Sequence, residues 1–175
     1  MNDVLDAMVN RRSCRKYTDE VPEDSLIDQI MEAGLYAASG RNEQAAIMIA
    51  ITDKAIRDEF SKENAKYIPG SPDTDPFYGA PVVIAVLGRK DWPTHVYDGS
   101  LVIGNLMLAA HTVGLGSCWI HRAKEVFESE FGMNKLKELG ITKEYEGIGF
   151  CVLGYPADDI PFPPERKDNR IYYLD

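Results

Sequence analysis

The sequence is poor in the residues that build metal centres and disulfide frameworks: its 175 residues include three cysteines and three histidines. Cys14, Cys118 and Cys151 lie far apart with no C-x-x-C pair, so neither a disulfide scaffold nor a zinc ribbon is indicated and no metal is expected. Positive charge is also in the minority. Nineteen Lys and Arg stand against 28 Asp and Glu, a net charge of 19 − 28 = −9. Polyphosphate backbones and anionic lipids are held by clustered cations, so nucleic acid and membrane are both disfavoured as partners. No apolar run reaches the roughly 18 residues of a spanning helix. The longest candidate, Leu101 to Val113, is broken by Gly104, Asn105, His111 and Thr112. The opening MNDVLDAMVNRRS carries charges where a secretory signal needs an apolar stretch, which makes a cytoplasmic location the simplest expectation. Nucleotide-loop signatures are missing too. There is no G-x-x-x-x-G-K-[ST], and Gly114-Leu115-Gly116 follows a helical pattern and precedes a strand, the reverse of the order a Rossmann turn requires.

What is present fits one layered domain spanning residues 1–175, with 45% hydrophobic and 27% charged residues. Val4, Leu5, Met8 and Val9 form the apolar stripe of a first helix. Leu26, Ile27, Ile30, Met31 and Leu35 form that of a second, with Pro22 at its opening. Ala45–Ile51 and Pro81–Leu87 are continuous apolar runs that read as strands buried on both faces, with a charged helix over Asp53–Lys66 between them. A long helix, apolar around most of its circumference, is expected over His95–Val113 and a strand over Gly116–Ile120. One or two helices follow over Lys124–Leu139, interrupted near Gly132, then a strand over Gly147–Leu153. Ile171–Leu174 reads as a strand with no partner nearby in sequence. Tyr67–Pro81 is rich in Pro and Gly and is a candidate lid or binding loop.

Three segments carry chemistry. Arg11-Arg12-Ser13-Cys14-Arg15-Lys16 places four cations in six positions at the end of the first helix. A helix dipole accounts for one or two of them. Arginine forks with a serine hydroxyl between them suit a phosphomonoester, and Arg166-Lys167 is a second cationic island that closes on the same anion if the tail folds back. Ser39-Gly40-Arg41-Asn42-Glu43-Gln44 supplies hydroxyl and amide groups suited to a heterocycle edge or a ribityl chain, or simply ends the second helix. His111, Cys118 and His121 match no metal spacing; Cys118 with His121 as base is a nucleophile candidate, set against Cys118 as an ordinary core residue.

These segments, in this order, together with DGSLVIGNLMLAAHTVGLGSCWI from Asp98 to Ile120, resemble the FMN-dependent nitroreductase family over nearly the whole chain. The resemblance implies an α+β fold with a central, mostly antiparallel sheet flanked by helices, in an intertwined homodimer with FMN at the subunit interface. Leu101, Val102, Ile103, Leu106, Met107 and Ala110 of the long helix would form much of the contact, and the C-terminal tail would wrap the partner. It further implies that Arg11, Arg12, Ser13 and Arg166, with Lys167, hold the FMN phosphate. Arg15 would lie toward the ribityl chain and the N1/O2 edge. Ser39, Gly40, Arg41, Asn42 and Gln44 would reach in from the partner's loop. Cys118, Trp119, Ile120 and His121 would run beside the isoalloxazine, with a backbone N–H from about Ile120 addressing N5 or O4. The flavin itself would carry the chemistry, with no catalytic side chain. NADH or NADPH would pass hydride to N5, and a nitroaromatic, quinone or other small electron-poor acceptor would then take its place, giving ping-pong kinetics.

The sequence departs from the family where Gln44 is followed by Ala45-Ala46, since many members carry Pro and then an aromatic there. The chain is also short, which implies an open pocket roofed at most by Tyr67, Phe77 or Tyr78. A flavin carrier or sensor without turnover is the alternative within this resemblance, and a thiol hydrolase the alternative outside it.

Overall fold

The computed structural model describes residues 2–70, 73–159 and 161–174. Pro72 of the turn-rich segment lies outside them. The elements are helices α1 (Asp3–Asn10) and α2 (Asp24–Leu35), strand β1 (Ala46–Ile51), α3 (Lys54–Ala65), β2 (Val82–Arg89), α4 (His95–Thr112), β3 (Gly116–Ile120), α5 (Ala123–Glu128), α6 (Glu130–Glu138) and β4 (Tyr145–Gly154). The strands form one antiparallel sheet in the order β1-β2-β4-β3, an α+β arrangement.

The continuous apolar sequence of β2 follows from its central place, because both of its faces are covered. Val83, Ala85 and Leu87 pack with Phe150, Val152, Phe60 and Phe127 on the side of α3, α5 and α6. Val82, Ile84 and Val86 pack with Ile103, Leu106 and Ile30 on the side of α2 and α4. Opposite faces of one strand thus feed two cores. β1 carries an equally apolar run but is an edge strand, and only Ile51 of its six residues is fully buried, in place of the double burial its composition implies.

Caps fix several boundaries. Asn2 caps α1, accepting from the Val4 N–H at 3.0 Å, and Asp53 caps α3 at Ile56. Pro22 precedes the start of α2, whose N-cap is Glu23. The break between α5 and α6 falls at Ser129, which caps α6, and not at Gly132. Gly132 serves the packing of the two helices instead. A Cβ there would stand 2.2 Å from the Val126 carbonyl oxygen, so only glycine lets α6 cross α5 this closely.

Residues 13–18 run along the free side of β3. Ser13 bridges Ser117 in parallel, the Cys14 N–H donates to the Ser117 carbonyl at 2.8 Å, and Tyr17 bridges Pro156. Much apolar surface remains outside both cores. Val4, Leu5, Met8 and Val9 of α1 are all exposed, as are Tyr97 and Leu101 on α4. Ile171–Leu174 forms no strand and is exposed, and none of the described residues pairs with it. No described helix is long and apolar enough to cross a membrane.

Candidate functional site

The chain leaves α1 at Arg11, whose φ/ψ of −54°/134° turns it onto the β3 edge. That turn spreads the cations along one ribbon. Arg11 Nη1 lies 3.9 Å from Met107 Sδ on α4, and the Arg15 guanidinium lies 6.0 Å from the Tyr78 ring centroid. Arg12 Nε is buried with no hydrogen-bond partner. Among the described residues none of the three forms an ion pair, although the chain carries 28 carboxylates; Lys16 is instead matched by Asp158 at 2.8 Å. A buried guanidinium N–H without an acceptor is destabilising by about 1–3 kcal/mol, a deficit that an oxyanion would remove.

Beside this ribbon, Cys118 is buried and its thiol is pushed up by desolvation, against the smaller opposing effects of Arg15, Ser13 and Arg11. A thiol held protonated is a poor nucleophile, and its Sγ lies 3.5 Å from the Trp119 carbonyl oxygen. The hydrolase alternative therefore has no activated sulfur. Cys118 and Ile120 point into the core beneath α3 and α5. Trp119 points the other way and packs over Gly149, where a Cβ would meet its Nε1 at 2.7 Å. His121 is exposed. Because Ser117 turns its carbonyl outward to Cys14, strand alternation turns the Trp119 N–H outward as well, whereas the Ile120 N–H faces β4. A donor on this edge comes from Trp119 rather than Ile120.

The second group, Ser39 to Gln44, is held under strain. Arg41, Asn42 and Gln44 all have left-handed backbones, with φ of 52°, 57° and 52°. Such residues each cost about 1–3 kcal/mol and persist where surrounding contacts over-determine them. Here the Gln44 N–H donates to Ser39 Oγ at 3.1 Å and Gln44 Nε2 to Asn42 Oδ1 at 3.1 Å. The Gly40 N–H donates to Asp98 Oδ1, while Thr94 Oγ1 donates to Asp98 Oδ2. A Cβ at Gly40 would lie 2.4 Å from Thr94 Oγ1, so this anchor requires glycine. Arg41, Asn42 and Gln44 are left exposed.

The two groups sit at opposite corners of the chain. Asp98, at the loop, and Met107, at the ribbon, are separated on α4 by 107 − 98 = 9 residues, about 13 Å of helix rise. The loop leads into β1 and the ribbon follows β3, opposite edges of the sheet, about 14 Å apart at 4.8 Å per strand. Arg166 and Lys167 are exposed in the tail, and no hydrogen bond or ion pair among the described residues joins them to the ribbon.

Three supporting features were not legible as site residues. Asp98 was visible only as the start of a helical motif. Asn64, fully buried on α3, donates through Nδ2 to the His121 carbonyl at 2.8 Å, just before Arg122 with its φ of 74°. Arg57, also buried, pairs with Asp75 in the turn-rich segment. Each works across a long sequence separation, and only the unusual burial of a polar side chain marks it.

The sequence profile described as the nitroreductase family matches residues 8–159. A protein of Archaeoglobus fulgidus, provisionally named NADH dehydrogenase/NAD(P)H nitroreductase, is 31% identical over 93% of this chain and 90% of its own. One of the same provisional name from Methanothermobacter thermautotrophicus is 33% identical over 90% of this chain and 79% of its own. Among solved structures, a nitroreductase with bound FMN from Desulfitobacterium hafniense superposes with a TM-score of 0.88 at 27% identity, covering 100% of both chains.

Proposed function

The chain belongs to the nitroreductase family, and from that premise we propose that it is an FMN-dependent NAD(P)H oxidoreductase acting on nitroaromatics, quinones or similar electron-poor small molecules. One observation carries the reading. In a chain of net charge −9, three arginines on one ribbon stay unpaired among the described residues, one of them with a buried Nε lacking an acceptor. A phosphate monoester supplies the missing charge and acceptors together.

The residues fit FMN in the following way. Arg11, Arg12 and Ser13 would hold the phosphate, joined by Arg166 and Lys167 if the tail folds back. Arg15 would serve the N1/O2 edge, where a cation favours negative charge on the flavin. The edge of β3 from Cys118 to His121 offers an outward N–H to the ring, and Ser39, Gly40, Arg41, Asn42 and Gln44 supply polar groups for the ring or the ribityl chain. Bound FMN would accept two electrons from NADH or NADPH and hand them to the acceptor in a separate encounter, a ping-pong pattern. The protein contributes binding, orientation and electrostatics.

Since ribbon and loop lie at opposite corners of one chain, the complete site is a property of two copies in an intertwined homodimer. The exposed Tyr97 and Leu101 of α4, the bare apolar stripe of α1 and the exposed tail supply apolar surface for that interface. Within it the 175 residues act as a single FMN-binding domain. Of the α4 residues expected at the contact, Val102, Ile103, Leu106 and Ala110 are buried in the chain's own core and Met107 is half-buried against it, which leaves Leu101, beside Tyr97, as the exposed apolar face for the partner.

The test is to purify the protein, measure FMN per chain, and follow anaerobic reduction by NADH and by NADPH, then reoxidation by nitroaromatic and quinone acceptors. A yellow dimer that turns over supports the proposal. Protein that takes up no FMN overturns it, and one that holds FMN but never oxidises NADH or NADPH is a carrier.

A further inference from the structure

Of the three aromatics in the turn-rich segment, two are committed to packing. Phe77 is fully buried, its ring 5.2 Å from that of Phe150, and Tyr67 packs on the same core while its hydroxyl donates to Glu63. Tyr78 differs. It is 42% exposed, and its left-handed φ of 57° is rare for a bulky residue.

Asp75 explains how that conformation persists. Its Oδ1 accepts from the Phe77 N–H at 3.0 Å and its Oδ2 from the Gly79 N–H at 2.7 Å, so one carboxylate grips the backbone on both sides of Tyr78. The Tyr78 N–H donates to the Asp75 carbonyl at 3.1 Å. Asp75 is itself fixed from α3, by Ser61 Oγ at 2.6 Å and by the guanidinium of Arg57. Arg57 Nε donates to the Ala80 carbonyl at 3.1 Å and its guanidinium stacks 5.5 Å from the Phe77 ring centroid. Buried groups on a helix therefore hold an exposed aromatic ring in a strained place, and the group it meets there is Arg15 of the unpaired ribbon. A tyrosine needed only to close a turn would call for none of this, since glycine adopts that backbone freely.

We propose that Tyr78 is a specificity-determining residue of the acceptor site, a fixed aromatic wall on which planar aromatic acceptors stack, with Arg15 beside it to favour those bearing negative charge. The proposal rests on the flavin reading above, because it places the acceptor next to the ring that Arg15 addresses. Asp75 and Arg57 are positioning residues for this wall.

The probe is benzoate, a planar aromatic anion that FMN does not reduce, titrated into FMN-loaded protein while the flavin absorbance is followed. Tyr78→Ala is expected to weaken benzoate about tenfold, and Tyr78→Phe to stay close to the parent protein. FMN affinity is expected to be the same in all three. Tyr78→Gly suits the left-handed backbone and repeats the comparison if the alanine variant fails to fold. In turnover, KM for nitroaromatics should rise in Tyr78→Gly while KM for ferricyanide, which has no ring to stack, stays constant. Parent-like benzoate binding by Tyr78→Gly in yellow protein overturns this proposal and leaves the flavin reading standing. Parent protein that binds no FMN overturns both.

Discussion

Asp98 on α4 accepts the backbone N–H of Gly40 at 3.1 Å across 58 residues of sequence, and is 4% exposed. The carboxylate also takes the Thr94 hydroxyl at 2.9 Å and lies in the first turn of its helix, where the dipole favours negative charge. With the ion pair from Arg89 of β2 to Glu43, it ties the strained Ser39–Gln44 loop to a rigid element, and it is the tie that acts on the loop's backbone.

Asp98→Ala strands the half-buried Gly40 N–H, toward the low end of the roughly 1–3 kcal/mol that a fully buried donor would lose, and removes one restraint on three left-handed residues. FMN affinity measured by calorimetry is expected to fall by roughly tenfold or more, each 1.4 kcal/mol being a factor of ten. Asp98→Asn keeps an acceptor for Gly40 and should retain most of it. Equal FMN affinity in Asp98→Ala and the parent would show that the loop needs no such anchor.

For the ribbon, Arg12→Lys separates charge from shape. Lysine keeps the cation but has neither a planar fork nor an Nε to fill the orphaned position. Both Arg12→Lys and Arg12→Ala are therefore expected to lose FMN on dialysis, by about 1.5–3 kcal/mol per lost charge-assisted hydrogen bond. Full restoration by lysine would reduce the role of Arg12 to a point charge.

Burial alone would raise the Asp75 carboxyl. Hydrogen bonds from Arg57, Ser61, Gly79 and Phe77 outweigh it and hold the group below the usual carboxylate range. A depressed folded value contributes stability at pH above the unfolded pKa of about 3.9, and that contribution is lost as pH falls through the folded value. Urea midpoints of parent and Asp75→Asn should thus differ at pH 7 and converge toward pH 3. A constant difference across that range would mean that the ionised form of Asp75 is not what Arg57 holds.

Local chemistry made much of this legible in advance. The apolar run of β2, the length of α4 and the charged helix that becomes α3 are properties of neighbouring residues, and R-R-S-x-R is conspicuous in an acidic chain. Less legible was whatever depends on distant partners. Lys16 looks like a fourth clamp cation until Asp158, 142 residues away, neutralises it. β1 has the composition of an inner strand, and only the strand order makes it an edge. Ile120 and Trp119 exchange roles as N–H donors because the parity of β3 is set by Cys14 binding Ser117. Asn64 and Asp98 are anonymous polar residues in helical sequence until each meets a backbone group of another segment.

The separation of ribbon and loop makes the assembly testable by complementation. If one FMN takes the ribbon of one subunit and the loop of the other, an Arg12→Ala subunit paired with an Asp98→Ala subunit leaves both lesions in one site and none in the other. Mixed dimers, isolated by differential tags after co-expression, should then hold one FMN per dimer at parental affinity and one weakly. If ribbon and loop of the same chain served one site, both sites of the mixed dimer would be weakened. Leu101→Asp, which charges the exposed face of α4, gives an independent check: sedimentation should shift toward monomer and FMN should be lost with it, because half of every site leaves with the partner. A monomeric Leu101→Asp protein that kept FMN at parental affinity would place the whole site within one chain, and the corner-to-corner separation would have to close by movement of the tail instead.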